Sequence, residues 1–212
     1  MTPVYRVIVA VSSPVMHWWS RLRVTGLENL PASGPTLLLA NHDSYWDPIA
    51  IAVAAGHRRQ VRALAKSTIW KLRPVGRLMD GMGHIPVKRG ADNSDALAAA
   101  VRALEAGTCI GIFPEGTRSL GRHLRAHSGA GRLALAVPGA RIVCARVTGT
   151  TDVVRLPKRP SVSVDFYLPS GGQVQPGETP AGLMARLLTE LRDGAPRAVP
   201  GRARAAAPFR AN

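Results

Sequence analysis

Hydrophobic and polar residues follow two different spacings along this chain, and segments with one spacing alternate with segments with the other. Short, uninterrupted apolar runs are typical of strands that are buried on both faces of a sheet. A run in which every second residue is apolar predicts a strand with one buried face, which suits the edge of a sheet. Apolar runs lie at residues 36–40, 61–65, 108–113 and 141–147, a shorter one lies within 83–90, and the alternating run lies at 161–168.

Between these runs, apolar residues recur at every third or fourth position, which predicts amphipathic helices. The clearest helix spans residues 92–106, where Asp92 or Ser94 caps the start and Gly107 ends it. Because Pro74 interrupts another such segment, a broken helix is expected there. With that broken one, the remaining predicted helices lie at 47–55, 68–80, 132–137 and 179–194. Since strands and helices alternate, the pattern predicts an α/β fold: a single domain with a mostly parallel central sheet flanked by helices.

The N-terminal residues have an amphipathic pattern of their own. Residues 4–22 carry apolar side chains along one helical stripe, which Pro14 interrupts, so a kink or two short helices are expected. Arginines flank the stripe, and the pair Trp18 and Trp19 suits a lipid–water interface. No apolar stretch reaches the about 20 residues that span a bilayer. We therefore interpret residues 1–20 as an interfacial, non-spanning membrane segment; the alternative is an ordinary amphipathic helix packed on the core.

Charge and cysteine usage narrow the partners of the chain. Its 212 residues carry a formal net charge of +15, so the surface attracts anions such as nucleic acid, anionic lipid or phosphorylated substrates. Nucleic acid is disfavoured, because aromatic residues are few and the chain has neither zinc-ligand spacing nor an RNA-binding aromatic motif. Cys109 and Cys144 lie in apolar runs without metal-ligand spacing, which predicts buried, reduced thiols in a cytosolic protein and no metal site.

Residues 41–48, with the sequence NHDSYWDP, follow the first buried run and form a candidate active-site loop. Asp47 and Pro48 have the form of a helix start, which places His42 just past a strand end, where ligands bind in open α/β sheets. His42 is then a candidate general base that Asp47 orients, provided that the chain turns between them. On one regular helix the two side chains would lie roughly 140° apart. The alternative is that Asp47 only caps the helix and His42 is an ordinary loop residue.

A second candidate loop, FPEGTRS at residues 113–119, also follows a buried run and should open at the same edge of the sheet. Gly116 allows the backbone to approach a ligand closely, and Thr117 adds a hydroxyl donor. Arg118 offers a planar fork that suits a phosphate, and Arg89, at the end of another predicted strand, could supply a second cation. Taken alone, a Gly-Thr-Arg turn is more often purely structural.

Together, these stretches resemble the sequence blocks of a known family. Residues 41–47 are similar to the NHxxxxD block of the glycerolipid acyltransferases, and residues 113–119 match that family's FPEGTRS block at every position. Residues 83–89 and the lead-in at 24–31 are similar to the family as well. On these residues the chain is identified as a member of the 1-acyl-glycerol-3-phosphate acyltransferases, also called lysophosphatidic acid acyltransferases, over about residues 21–150.

The resemblance implies an acyltransferase that moves a fatty acyl group from a thioester to the free hydroxyl of lysophosphatidic acid, giving phosphatidic acid. It implies that His42 is the general base and that Asp47 is its catalytic partner. The donor would be acyl-CoA or acyl carrier protein, and no metal ion or other cofactor is required. The residues expected to bind the acceptor are Arg89, Glu115, Gly116, Thr117 and Arg118.

The same reading divides the chain into three parts. Residues 1–20 are the membrane-interface segment, residues 21–195 the acyltransferase domain, and residues 196–212 a basic tail whose Arg, Ala and Pro content predicts disorder. We expect a peripheral or monotopic protein at the cytoplasmic face of the cell membrane, with an anionic membrane surface and a lysophospholipid as partners.

Functions from other classes are alternatives to this one. A serine hydrolase using His42 and Asp47 is disfavoured, because the chain has no GxSxG elbow. A nucleic-acid-binding protein and a non-catalytic membrane scaffold are the remaining alternatives from other classes. Within the family, the acceptor could be glycerol-3-phosphate, another lysophospholipid or a lyso-lipid without phosphate. Two departures from the family leave the acceptor open: the run at 142–147 lacks the proline that the family commonly has, and residues 127–128 are His-Ser where the family often has a lysine.

Overall fold

A computed structural model of the chain describes residues 1–56, 58–88, 94–154, 157 and 159–195. Within these residues the chain forms seven strands and six α-helices. The strands are β1 (Arg23–Thr25), β2 (Thr36–Ala40), β3 (Val61–Lys66), β4 (Ile85–Val87), β5 (Cys109–Ile112), β6 (Arg141–Thr148) and β7 (Ser163–Tyr167). The helices are α1 (Pro3–Pro14), α2 (Asp47–Ala55), α3 (Arg73–Gly81), α4 (Ser94–Glu105), α5 (Gly129–Ala136) and α6 (Pro180–Asp193). Arg89, Asp92 and the predicted tail at 196–212 lie outside the described residues.

The seven strands form one sheet in the order β1-β7-β6-β2-β5-β3-β4. Neighbouring strands are parallel except for β6 and β7, which are antiparallel. This arrangement confirms the predicted α/β fold with a mostly parallel central sheet flanked by helices.

The central strand β2 contributes to two cores, one on each face of the sheet. Leu38 and Ala40 pack on the side of α2, together with Met16 from the N-terminal segment. Leu37 and Leu39 pack on the other side, against α4, α5 and α6. All five residues of β2 are buried. Because helices cover this strand on both faces, the chain that leaves it after Ala40 starts from a fixed point.

The alternating strand β7 does not lie at the edge of the sheet, so that part of the prediction is wrong. It pairs with β6 on one side and with β1 on the other. β1 has only three residues, Arg23–Thr25, which is too short to give a periodic signal in the sequence. The alternation of β7 arises because Val164 and Phe166 are fully buried while the residues between them are only partly covered.

The N-terminal segment changes from one helix to another at Pro14, where the proline predicted a break. Helix α1 ends at Pro14, and residues Val15–Trp19 continue as one π-helical turn. Tyr5 and Met16 are buried in the protein, whereas Val11 and Trp18 are 69% and 75% exposed. The segment therefore packs on the core along one side and leaves apolar side chains in solvent along another.

The second broken helix lies beside the first. A 3₁₀ turn, Ser67–Lys71, precedes α3, which carries Pro74 in its first turn, where a proline is tolerated. Helices α1 and α3 pack closely, because a Cβ at Gly81 would lie 2.8 Å from the side chain of Val4. The exposed apolar residues of these two segments, called here the α1–α3 patch, are Val7, Val11, Trp18, Ile69, Leu72, Val75 and Leu78. Among the described residues, no helix has the length and apolar character needed to cross a bilayer.

Candidate active site

The predicted pair of His42 and Asp47 comes together at the carboxyl end of β2. The imidazole Nδ1 lies 2.9 Å from a carboxylate oxygen of Asp47, and the histidine side chain remains 16% exposed. A turn between Ser44 and Asp47, in which the Asp47 amide donates to the Ser44 carbonyl, reverses the chain before α2 begins. This turn supplies the change of direction that the pair requires, and α2 begins at Asp47.

Asp47 is fully buried and is held by groups on two loops. The oxygen that contacts His42 also accepts the backbone N–H groups of Asp43 at 2.6 Å and Ser44 at 2.7 Å. Its other oxygen accepts the hydroxyl of Thr150, which follows β6. Asp47 is therefore more than a helix cap, because these hydrogen bonds fix its orientation beside the imidazole.

The FPEGTRS loop lies directly against the His42 loop. β2 and β5 are parallel neighbours, with Leu39 paired to Ile112, so both loops open at the same edge. The ring of Phe113 stacks on His42 with 4.2 Å between ring centroids. The amide of Ser119 donates to the His42 carbonyl at 2.7 Å, and the His42 amide donates to Glu115 at 2.7 Å. The backbone of His42 is thus fixed on both its N–H and C=O sides by the second loop.

The turn that carries the candidate phosphate contacts lies over this backbone. Gly116 has φ +63°, a conformation that favours glycine, and a Cβ there would approach the ring of His127 to 2.6 Å. Thr117 and Arg118 are both partly exposed. The guanidinium of Arg118 stacks on the ring of Tyr45, 3.7 Å from its centroid, which connects the two loops at the surface.

Glu115 has contacts that the sequence did not predict. Its carboxylate is 2% exposed and contacts the guanidinium of Arg192 as well as the His42 amide, so both oxygens face the protein interior. The sequence predicted that this residue binds the acceptor. The observed contacts instead suit a residue that holds the base of the His42 loop. The predicted second cation, Arg89, lies outside the described residues.

Asp43 completes a buried charged cluster below the two loops. Arg192 contacts both of its carboxylate oxygens, at 3.1 and 3.2 Å, and the Ser119 hydroxyl and the Gly121 amide donate to one of them. Burial alone would raise the pKa of Asp43, but the charge of Arg192 and these hydrogen bonds hold it below its usual value. Burial raises the pKa of Glu115 to about 7, against the opposing effect of Arg192.

Several residues of this site had no role assigned from the sequence. Asn41 exchanges two hydrogen bonds of 2.8 Å with the backbone of Val147, which ties the start of the loop to β6. Thr150 and Asp43 had no sequence signal, because single hydroxyl and carboxylate groups in loops are common. Arg192, in contrast, did have a sequence signal. It occupies a position on the apolar stripe of α6, where Leu188 and Leu191 are buried, and a charged residue on such a stripe needs a buried partner.

The geometry suits acid–base chemistry at an exposed edge. When Nδ1 of His42 donates to Asp47, Nε2 carries the lone pair that a base needs. The adjacent turn offers a hydroxyl, a guanidinium and closely approachable backbone, which are ligands for an anion. A substrate with a hydroxyl to deprotonate and an anionic group a short distance away would fit both the histidine base and the adjacent turn.

The fold and the paired loops thus define an α/β protein with a histidine–aspartate dyad at the carboxyl edge of a mostly parallel sheet. A family model described as Acyltransferase matches residues 21–150, which is more than half of the chain. The chain belongs to this acyltransferase family, as the sequence blocks indicated. The matched range contains both loops of the site.

Curated relatives give the family finer detail. A chloroplastic 1-acyl-sn-glycerol-3-phosphate acyltransferase of Arabidopsis thaliana is 30% identical over 63% of this chain and 38% of its own length. A 1-acyl-sn-glycerol-3-phosphate acyltransferase of Borreliella burgdorferi is 33% identical over 50% of this chain and 42% of its own length. The matched region therefore spans less than half the length of each of these relatives.

A solved structure supports the fold independently. The crystal structure of the 1-acyl-sn-glycerophosphate (LPA) acyltransferase of Thermotoga maritima superposes with a TM-score of 0.65, covering 89% of this chain and 77% of that one. The identity is 20%, so this likeness supports the fold alone.

Proposed function

We propose that this protein transfers a fatty acyl group from an acyl thioester to the free hydroxyl of 1-acyl-glycerol-3-phosphate, giving phosphatidic acid. The observation that carries the proposal is the 2.9 Å contact between His42 and the buried Asp47, next to a turn that bears Gly116, Thr117 and Arg118. The named relatives, which are 1-acyl-sn-glycerol-3-phosphate acyltransferases, support the choice of acceptor.

In the proposed mechanism His42 acts as general base. Its Nε2 removes the proton from the acceptor hydroxyl as the oxygen attacks the thioester carbonyl. A general base of this kind typically raises the reaction rate about 10²–10⁴-fold. Asp47 fixes the ring tautomer through Nδ1 and stabilises the imidazolium that forms. The proton then passes to the departing thiolate, so the products are the ester and a free thiol. No covalent enzyme intermediate and no metal ion or other cofactor is required.

The acceptor phosphate lies on the turn in this proposal. Arg118 contributes charge and a planar fork, while Gly116 and Thr117 contribute backbone and hydroxyl donors. Arg89 remains a proposed second phosphate ligand from the neighbouring strand. The stacking of Arg118 on Tyr45 favours a fixed direction for the guanidinium and so a fixed place for the phosphate. The role of these groups is positioning, which brings the hydroxyl to His42.

The acyl donor is acyl-CoA or acyl carrier protein, and the acceptor comes from a membrane. The α1–α3 patch supports interfacial binding, because its apolar side chains are exposed next to exposed Lys71, Arg73 and Arg77. Apolar side chains flanked by cations favour an anionic lipid surface. We place the enzyme at the cytoplasmic face of the membrane as a peripheral or monotopic protein.

The test is a transfer assay with purified protein, both donor types and a panel of acceptors, with products identified by mass. The panel contains 1-acyl-glycerol-3-phosphate, glycerol-3-phosphate, a lysophospholipid with an esterified phosphate and a lyso-lipid without phosphate. We expect the highest kcat/KM for 1-acyl-glycerol-3-phosphate and no transfer by folded His42→Ala protein. Preference for another acceptor would redirect the proposal within the family, and near-wild-type transfer by His42→Ala would refute the mechanism.

The variant Arg118→Ala refines the same assay. Loss of a guanidinium–phosphate contact should raise the KM for phosphorylated acceptors and leave unchanged the KM for a phosphate-free lyso-lipid that the enzyme accepts. A rise in donor KM alone would instead place the arginine at the acyl-donor site.

A further inference from the structure

Arg192 is the central cation of the cluster below the two active-site loops. It lies in the last turn of α6, and its side chain is 2% exposed. One edge of the guanidinium contacts Glu115, with Nε 2.5 Å from the carboxylate, and Nη1 contacts Asp43 at 3.1 Å. These carboxylates lie 77 and 149 residues away along the chain, so Arg192 connects three distant segments.

Each of the two carboxylates holds a different part of the site. Glu115, from the FPEGTRS turn, accepts the backbone N–H of His42 at 2.7 Å. Asp43, from the His42 loop, accepts the Ser119 hydroxyl and the Gly121 amide of the opposite turn. The two carboxylates therefore cross-link the loops in opposite directions. Arg192 sits between them and supplies the positive charge that two neighbouring buried anions need.

Stability alone is a poor explanation for this arrangement. Taking three charged groups out of water is costly, and well-packed apolar residues often stabilise a protein as well as a buried ion pair does. Position 192 lies on a stripe where α6 otherwise buries leucines, so an apolar residue would suit the helix. The cluster instead fixes directions, because a guanidinium bonds to carboxylates through a rigid, planar set of donors.

We propose that Arg192 is a positioning residue for acyl transfer: by holding Asp43 and Glu115 together, it sets the His42 loop against the acceptor-binding turn. The inference rests on the proposed role of His42 as general base. Arg192 contacts neither the imidazole nor the exposed turn residues in the described contacts, so it acts through the two carboxylates.

The charge of Arg192 also favours the working state of Glu115. Burial raises the pKa of Glu115 to about 7, and Arg192 opposes that rise. The charged carboxylate is the better acceptor for the His42 amide. Without the guanidinium the pKa of Glu115 would rise further, so a larger share of Glu115 would be protonated at neutral pH and its hydrogen bond to His42 would weaken.

The test compares Arg192→Lys and Arg192→Met with Arg186→Met. Arg186 is the matched control, because it lies six residues earlier on α6 and pairs with Glu178 at 2.9 Å, while its other bonds go to carbonyls at Gly172 and Gln173. Activity is expressed per folded molecule, with the folded fraction taken from the unfolding curve of each variant. We expect kcat to fall about 10²-fold in Arg192→Met, the cost of a misplaced catalytic group, with donor KM unchanged. Arg192→Lys keeps the charge but not the fork, so its fall should be smaller, and Arg186→Met should keep wild-type kcat.

A wild-type kcat per folded molecule in Arg192→Lys and Arg192→Met would overturn the proposal. If Arg192→Met does not fold, Arg192→Lys decides alone: a reduced kcat supports the proposal and a wild-type kcat refutes it. The ¹⁵N NMR signals of the His42 ring give a readout that is independent of transfer. They should shift in Arg192→Lys and not in Arg186→Met, and unchanged signals would also refute positioning. If His42→Ala remains active, the proposed role of His42 as general base fails, while the ring signals still show whether Arg192 positions His42.

Discussion

The active-site loops and the α1–α3 patch differ in what they bury and what they expose. At the loops, charged groups are buried: Asp43, Asp47, Glu115 and Arg192 are each at most 5% exposed, and each has charged or hydrogen-bonding partners. At the patch, apolar groups are exposed, with Trp18 at 75%. Burying a charge is tolerated when the charge is paired or hydrogen-bonded, as these four groups are. Several exposed apolar side chains on two packed segments point to a surface that interacts with another molecule.

The difference predicts two kinds of sensitivity. Changes at the loops should alter the rate of acyl transfer without altering the affinity of the protein for a membrane. Changes at the patch should do the reverse. Each region can therefore serve as a control for the other.

The largest effect is expected from Asp47→Asn. The amide oxygen can still accept the amides of Asp43 and Ser44, so the loop should keep its shape. The charge that stabilises the imidazolium is lost, however, and kcat should fall about 10²–10⁴-fold, as for a disabled general base. Steady-state transfer kinetics and the binding of the protein to anionic vesicles measure both sides of the comparison, and vesicle binding should stay unchanged.

The matched control is Asp165→Asn. Asp165 also accepts a threonine hydroxyl, that of Thr25 at 2.7 Å, but it lies on β7 away from His42. This variant should keep wild-type kcat. If Asp47→Asn retained wild-type kcat as well, the carboxylate would be only a helix cap, and the dyad would have to be abandoned.

These two regions also show what local sequence can predict. His42 and Asp47 lie five residues apart, so one strand end and one helix start suffice to place them. Arg118 could be assigned to the same edge because it also follows a buried strand. The proline at position 14 predicted the break in the N-terminal segment, where α1 ends, for a purely local steric reason.

Other parts of the site depend on contacts that no local pattern contains. Thr150 reaches Asp47 across 103 residues, and Arg192 reaches Asp43 across 149. Such pairings follow from the order of the strands, in which β2 lies between β5 and β6. The wrong prediction that β7 lies at the edge of the sheet has the same origin, because the three residues of β1 become a strand by pairing with β7. The turn of the chain could be predicted, but not which distant groups would meet there.

A smaller effect is expected at the patch. The double variant Trp18→Ser/Leu78→Ser removes two exposed apolar side chains, and burying one such side chain contributes about 1.5–3 kcal/mol. Partitioning onto anionic vesicles should therefore weaken at least about tenfold, since tenfold corresponds to about 1.4 kcal/mol. Transfer to a soluble, short-chain acceptor should keep its wild-type kcat. Co-sedimentation with vesicles and the soluble assay measure the two outcomes.

Leu135→Ser serves as the control for this experiment. Leu135 is 37% exposed, nearly the same as Leu78 at 36%, but it lies on α5, which packs on the opposite face of the sheet from the N-terminal segment. Its replacement should leave vesicle binding unchanged. Equal losses in both variants would mean that the protein has no preferred membrane-binding side.

The smallest effect concerns pH and involves His84, which links α3 to the sheet. Its Nδ1 accepts the Ala63 amide at 2.9 Å, and burial, with a further contribution from the charge of Arg62, lowers its pKa from 6.5 to about 4. Because the folded state then binds fewer protons than the unfolded chain between pH 6.5 and pH 4, the free energy of unfolding falls as the pH is lowered through that window, by at most about 1.4 kcal/mol per pH unit. Asp43 adds a loss of the same sign at lower pH, whereas Glu115, with its raised pKa, has the opposite sign between pH 4.5 and pH 7.

The variant His84→Asn can keep the hydrogen bond without titrating. Denaturant unfolding curves should therefore show a smaller loss of stability between pH 6.5 and pH 5 for this variant than for the parent protein. The exposed His123 provides the control, and an acid sensitivity of His84→Asn equal to that of His123→Asn would mean that His84 is not buried in its neutral form.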